Sequence, residues 1–167
     1  MLKYVTVIFL SICFMACSKK SGLQTEQGMK WITFEELNRL QKSEPRKVVI
    51  DVYTDWCGWC KVMDKNTFQN ASIAKYTNKK FYCVKLNAES ADKLLYQGDV
   101  LSNAELASKW GIYSYPTTVY LDESLQPMTA PVGGYLDTVV FNKIIHYFGE
   151  NAYKSVAFDK YELKNNK

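Results

Sequence analysis

The chain has 167 residues, 47% of them hydrophobic and 23% charged, with a formal net charge of +4. These are ordinary globular values that exclude disordered and fibrous classes, and five cysteines are too few for a disulfide scaffold. Basic and acidic residues are mixed along the chain, which argues against a nucleic-acid-binding face with its clustered basic stripe.

The first segment reads as an address. Lys3 and the amino terminus give a positive start, and residues 4–16 form a run dominated by apolar side chains. That run is shorter than the roughly 20 residues needed to span a bilayer and has the size of a secretory signal. It ends at Ala16-Cys17, followed by Ser18-Lys19-Lys20. A small residue before Cys resembles a bacterial lipoprotein cleavage site. Residues 1–16 would then be the signal peptide, and residues 17–28 a lipidated Cys17 with its tether. The domain would follow over 29–149, and a polar tail over 150–167. Ordinary secretion and an uncleaved anchor are the alternatives. Export would leave Cys57, Cys60 and Cys83 in an oxidising compartment, where disulfides persist.

Residues 29–32 suit a short strand. Thr33 and Glu36 form the pattern of a capping box before a helix with Phe34, Leu37 and Leu40 on one face. Pro45 stops that helix. Residues 47–53 (KVVIDVY) are apolar but for Asp51 and read as a central strand covered on both sides. A helix is expected from the Cys57-Gly58-Trp59-Cys60 segment to about Asn66, and a second from Asn70 to Tyr76. Residues 80–87 read as a strand and residues 88–110 as polar and helix-prone, broken at Gln97-Gly98-Asp99. Strands are expected at 117–121 and 128–132, and Asp137 caps a helix to Phe148 with Val140, Ile144, Tyr147 and Phe148 on one face. The order β-α-β-α-β-α-β-β-α predicts a three-layer α/β domain with a mixed central sheet.

The Cys57-Gly58-Trp59-Cys60 segment carries the chemistry. A thiol where a strand gives way to a helix meets unpaired N–H groups that favour the thiolate. A second cysteine one turn on can resolve a mixed disulfide. Zinc is disfavoured, because it wants about four ligands and the mature domain offers only His146 and Cys83 beyond the pair. A purely structural disulfide is disfavoured too, since so short a loop constrains the unfolded chain little.

With Val48-Val49-Ile50-Asp51-Val52-Tyr53, Trp56-Cys57-Gly58-Trp59-Cys60-Lys61, Lys85-Leu86-Asn87, Trp110-Gly111-Ile112, Tyr115-Pro116-Thr117 and Val132-Gly133-Gly134 in this order, the chain resembles the thioredoxin superfamily. It is similar to secreted thioredoxin-like lipoproteins and to the C-terminal domain of bacterial transmembrane thiol-reductant carriers. The resemblance implies a thiol–disulfide oxidoreductase acting on protein disulfides. Cys57 is the expected nucleophile and Cys60 the resolving thiol. Asp51 is the expected proton shuttle and Lys85 its partner. A cis peptide is expected at Pro116. Trp56, Gly58, Trp59, Tyr115 and Pro116 are expected to bind substrate.

No metal or organic cofactor is expected. The expected partners are protein thiols, a membrane thiol-electron donor and a lipid anchor, with the chain monomeric and facing the periplasm. Trp59 cannot act as an imidazolium, which favours reduction or isomerisation over oxidation. A non-catalytic peptide-binding module and a disulfide oxidase are the competing readings. Cys83 reads as a buried inert thiol. Residues 88–108 are longer than a minimal member of the superfamily needs and are expected to carry extra helix.

Overall fold

The computed structural model describes residues 28–163. The expected signal peptide, Cys17 and nearly all of the tether fall outside these residues. Among the described residues, no helix is long and apolar enough to cross a membrane.

The elements run β1 (Trp31–Ile32), α1 (Phe34–Ser43), β2 (Lys47–Tyr53), α2 (Gly58–Met63), α3 (Ala71–Lys80) and β3 (Phe81–Asn87). They continue with β4 (Lys93–Tyr96), β5 (Asp99–Ser102), α4 (Asn103–Lys109), β6 (Thr117–Leu121), β7 (Val132–Gly133) and α5 (Thr138–Gly149). The central sheet has the order β1-β3-β2-β6-β7. β2 lies parallel to β3 and antiparallel to β6, giving the mixed three-layer α/β arrangement expected of a thioredoxin-like fold.

Both sheet faces are covered, which is why β2 is apolar on successive residues. Val49, Cys83 and Tyr120 pack with Met63, Phe68, Phe141 and Ile145 on one side. Val48, Ile50, Val52, Val84 and Val119 pack with Leu37, Leu94, Tyr96 and Leu106 on the other. Helix starts follow side-chain capping: Asn70 accepts from the N–H groups of Ser72 and Ile73, and Asp137 from that of Val140. At α1 only half of the expected box forms. Thr33 accepts from the Glu36 N–H, while the Glu36 carboxylate turns to Arg39 at 2.9 Å.

Four expectations need correction. The extra segment is not an added helix at 88–108 but the β4–β5 hairpin, followed by α4. Gln97 and Gly98 both have positive φ, 52° and 92°, the backbone of a two-residue hairpin turn. Leu94 and Tyr96 alternate inward from β4, and Tyr96 donates its hydroxyl to the Leu125 carbonyl at 2.9 Å. α2 is followed by a π-helical turn, Asp64–Phe68, and α3 runs on to Lys80. The expected strand at 128–132 shifts to Val132–Gly133, with Met128 keeping one backbone bond to Tyr120. Val140 is exposed, and Phe141 takes its place on the buried face of α5.

The segment after α5 packs back on the domain. Tyr161 is buried, Tyr147 donates to the Val156 carbonyl at 2.7 Å, and Tyr161 donates to Glu150 at 3.1 Å.

Candidate active site

β2 delivers the chain to the cysteine pair. Cys57 is the N-cap of α2, and its sulfur accepts the Cys60 N–H at 3.1 Å. Cys57 and Cys60 form a disulfide with Cα atoms 5.3 Å apart. Only 4% of Cys57 and 6% of Cys60 are exposed, whereas Trp56 and Trp59 on either side are 68% and 63% exposed. The sulfurs therefore sit recessed between two indoles. A Cβ at Gly58 would meet nothing within 4 Å, so that position is open.

Each indole has an aromatic neighbour. Trp56 meets Tyr115 edge-on at 5.9 Å, and Trp59 leans on Tyr135 at 5.5 Å. The Trp56 indole N–H donates to Glu89 at 2.9 Å. Tyr115-Pro116 is the cis peptide that the resemblance implied. It precedes β6, whose Thr117 pairs with Val52 near the end of β2. Antiparallel pairing thus brings residues 115–116 to the same end of the sheet as the cysteines. Sequence reasoning missed Tyr135 and Glu89. The loop after the Val132-Gly133-Gly134 motif carries the first, and the turn after β3 the second.

Below the disulfide lies the acid. Asp51 is 2% exposed, and one carboxylate oxygen, Oδ1, has no hydrogen-bond partner. Burial pushes its pKa up to about 7, with Lys85 opposing the rise and the Asp64 carboxylate adding to it. A cavity of ≈ 200 Å³ is lined by Asp51, Thr54, Cys60, Lys61, Asp64 and Lys85, among others. It joins the acid to the second cysteine.

Lys85 was expected to pair with Asp51. Its ammonium stands 3.9 Å from that carboxylate but hydrogen-bonds to Asp64 instead. Asp64 escaped the sequence reading, although it follows Cys60 by four residues and so shares its helix face. The remaining candidates stay apart from this chemistry. Burial pushes the Cys83 thiol up and keeps it protonated. His146 stacks on Tyr76 at 3.6 Å and contacts Glu150 at 3.0 Å. Among the described residues, no cluster of three or more His, Cys, Asp or Glu could hold a metal ion.

A family described as Thioredox_DsbH, protein of unknown function (DUF255), matches residues 15–147. The chain belongs to this family. Among curated relatives, the thiol:disulfide interchange protein DsbD of Yersinia pestis is 27% identical over 133 residues. The match covers 72% of this chain and 20% of that protein, so the chain spans about a fifth of such relatives' length. Among solved structures, a thioredoxin-fold protein from Helicobacter pylori superposes with a TM-score of 0.63 at 18% identity, covering 70% of this chain and 76% of that one. A disulphide-isomerase-like protein from Bacteroides thetaiotaomicron has a TM-score of 0.57 at 25% identity, covering 78% and 98%. This DsbH-like chain thus combines a thioredoxin-like fold with a cysteine pair at disulfide distance.

Proposed function

We propose that this DsbH-like domain reduces or isomerises protein disulfides in the periplasm, held to a membrane by a lipid on Cys17. The observation that carries the reading is the Cys57–Cys60 disulfide at the head of α2, with buried Asp51 sharing a cavity with Cys60.

In the reduced protein, the Cys57 thiolate is favoured by the Cys60 N–H that its sulfur accepts. It attacks one sulfur of a substrate disulfide, forms a mixed disulfide and expels the other substrate sulfur as a thiolate. Cys60 then passes its proton through the cavity to the Asp51 carboxylate. The Cys60 thiolate attacks Cys57, the Cys57–Cys60 bond forms, and the second substrate sulfur leaves. The substrate has gained two electrons and the domain has lost them. A membrane thiol donor restores the dithiol. A pKa of about 7 suits Asp51 to this exchange, because it can both take and release a proton near neutral pH. Trp56, Trp59 and Tyr115 flank the recess and supply the apolar contact for an incoming segment.

Insulin reduction by a thiol donor tests the reading. Cys57→Ser should abolish turnover, and Cys60→Ser should accumulate mixed disulfides. Undiminished turnover in Cys57→Ser would refute it. The reduction potential sets the direction: a value of about −270 mV suits a reductant, and one of about −120 mV an oxidase. Membrane fractionation of Cys17→Ser tests the anchor, which predicts release of soluble protein.

A further inference from the structure

The sheet register collects a group of side chains around Lys85 that the cysteine chemistry does not by itself require. Side chains two apart on a strand share a face. Trp31 pairs with Cys83, two residues before Lys85. Tyr53 lies two residues after Asp51, which pairs with Lys85 itself. Lys85 on β3 is therefore flanked diagonally by an aromatic residue from each neighbouring strand. Its ammonium stands 5.0 Å from the Trp31 ring centroid and 5.6 Å from that of Tyr53. Both distances lie within cation–π range.

Lys85 lines three recesses at once. Besides the ≈ 200 Å³ cavity with Asp51 and Cys60, it borders a groove of ≈ 1210 Å³ along α1 and the hairpin, and a recess of ≈ 350 Å³ beside Phe68. Trp31 lines both of the outer recesses and not the inner cavity. The indole thus meets the ammonium from the groove side, while Asp51 lines only the cavity with Cys60 and Asp64 lines both that cavity and the smaller recess.

We propose that Trp31 is a positioning residue whose ring holds the Lys85 ammonium against the Asp51–Asp64 pair. Without the ring, the lysine loses a contact that fixes it and is freer to swing along the groove it already borders, toward Glu35, Glu36 and Asp92. Trp31 touches neither cysteine in this scheme; it acts through Lys85 on the acid. The inference rests on the reading of Asp51 as the proton acceptor for Cys60.

The titratable groups facing this cluster are Asp51 and Tyr53 from β2 and Asp55 from the loop after it. Lys61 and Asp64 face it from α2 and the following turn. Glu35, Glu36, Arg39 and Lys42 of α1, Asp92 just before β4 and Lys93 of β4 face it across the groove. Tyr120 of β6 feels the Asp51 charge, and it stays protonated because burial raises its pKa. Lys85 is the group whose position Trp31 sets.

The test is a pH titration of the Asp51 carboxyl carbon by NMR in the full chain, with the signal assigned by its loss in Asp51→Asn. Lys85 favours the carboxylate, so weakening its hold raises the midpoint. Trp31→Leu should raise it by about half a pH unit. Trp31→Phe keeps a weaker ring face and should fall between wild type and Trp31→Leu. Lys85→Met should raise the midpoint at least as far as Trp31→Leu does. The double variant should go no higher than Lys85→Met alone. An unchanged or lowered midpoint in Trp31→Leu, or additive shifts in the double variant, would overturn the proposal. If Trp31→Leu does not fold, the order wild type, Trp31→Phe, Lys85→Met decides the matter in the same way. The titration needs no turnover, so its failure leaves the cysteine chemistry standing, and loss of turnover leaves the titration readable.

Discussion

Replacing Asp51 by Asn should stabilise the oxidised protein by an amount that grows as pH rises from about 4 to about 7 and then stays constant. Burial pushes the Asp51 carboxyl up from its ordinary 3.8 to about 7, because it penalises the charge more than Lys85 favours it. The folded state therefore holds a proton that the unfolded chain has lost between those two values. Stability falls as pH rises past about 4, and the loss is complete above about 7. A shift of about three units at about 1.4 kcal/mol each gives a penalty of roughly 4 kcal/mol. An amide has no charge to bury, so Asp51→Asn escapes this penalty. Urea unfolding of both proteins at a series of pH values between 4 and 9 measures the difference. The two curves should nearly meet at pH 4 and diverge by roughly 4 kcal/mol at pH 8, less the cost of an imperfectly bonded amide. A gap that does not change with pH would refute the claim that Asp51 is buried and ionises with difficulty.

Three further outcomes follow from packing and exposure. Phe141→Ala removes a fully buried ring that meets Phe68 edge-on at 5.3 Å; it should cost about 3–5 kcal/mol in urea unfolding. Gly149→Ala would place a Cβ 2.6 Å from the Tyr76 hydroxyl and should lower stability by about 1–3 kcal/mol, seen as a fall in Tm. Trp59→Ala removes an indole that is 63% exposed beside the recessed sulfurs. It should raise KM for insulin about tenfold with little change in kcat, the mark of lost docking contact.

The parts of the fold that could be read from sequence were those with one dominant local signal. β2 announced itself by five apolar residues around Asp51, α3 by the Asn70 cap, and α5 by Asp137 followed by an apolar face. The hairpin was obscured because Lys93-Leu94-Leu95-Tyr96 is short and, with three adjacent apolar residues, shows no clean alternation, and Gln-Gly is a weaker turn signal than Asn-Gly. Its stability comes from tertiary contacts: the Tyr96 hydroxyl on Leu125, and the Asn38 amide donating to the Leu95 carbonyl at 2.8 Å. In the site, Cys57, Cys60 and Asp51 were legible because each breaks an apolar pattern or forms a motif. Asp64, Glu89, Tyr135 and Trp31 were not, because each is an ordinary polar or aromatic residue until the sheet register and the loops bring it to the cysteine pair, its flanking indoles or Lys85.

The position of Asp51 also explains how the domain tolerates it. A charge costing roughly 4 kcal/mol at high pH is a large share of the 5–15 kcal/mol typical of folded proteins. It lies on the strand that contributes most to the sheet. Val48, Val49, Ile50 and Val52 are all fully buried, and β2 is paired along both edges, with β3 and β6. Burial of four such side chains supplies about 6–12 kcal/mol against water, enough to hold the acid in place whichever proton state it adopts. The same carboxylate on a two-residue edge strand such as β1 or β7 would pull the strand out to water and regain an ordinary pKa. A proton acceptor working near neutral pH therefore has to be built into the centre of the sheet. The cysteines come to it, because β2 ends four residues before Cys57 and α2 then turns Cys60 back toward the cavity.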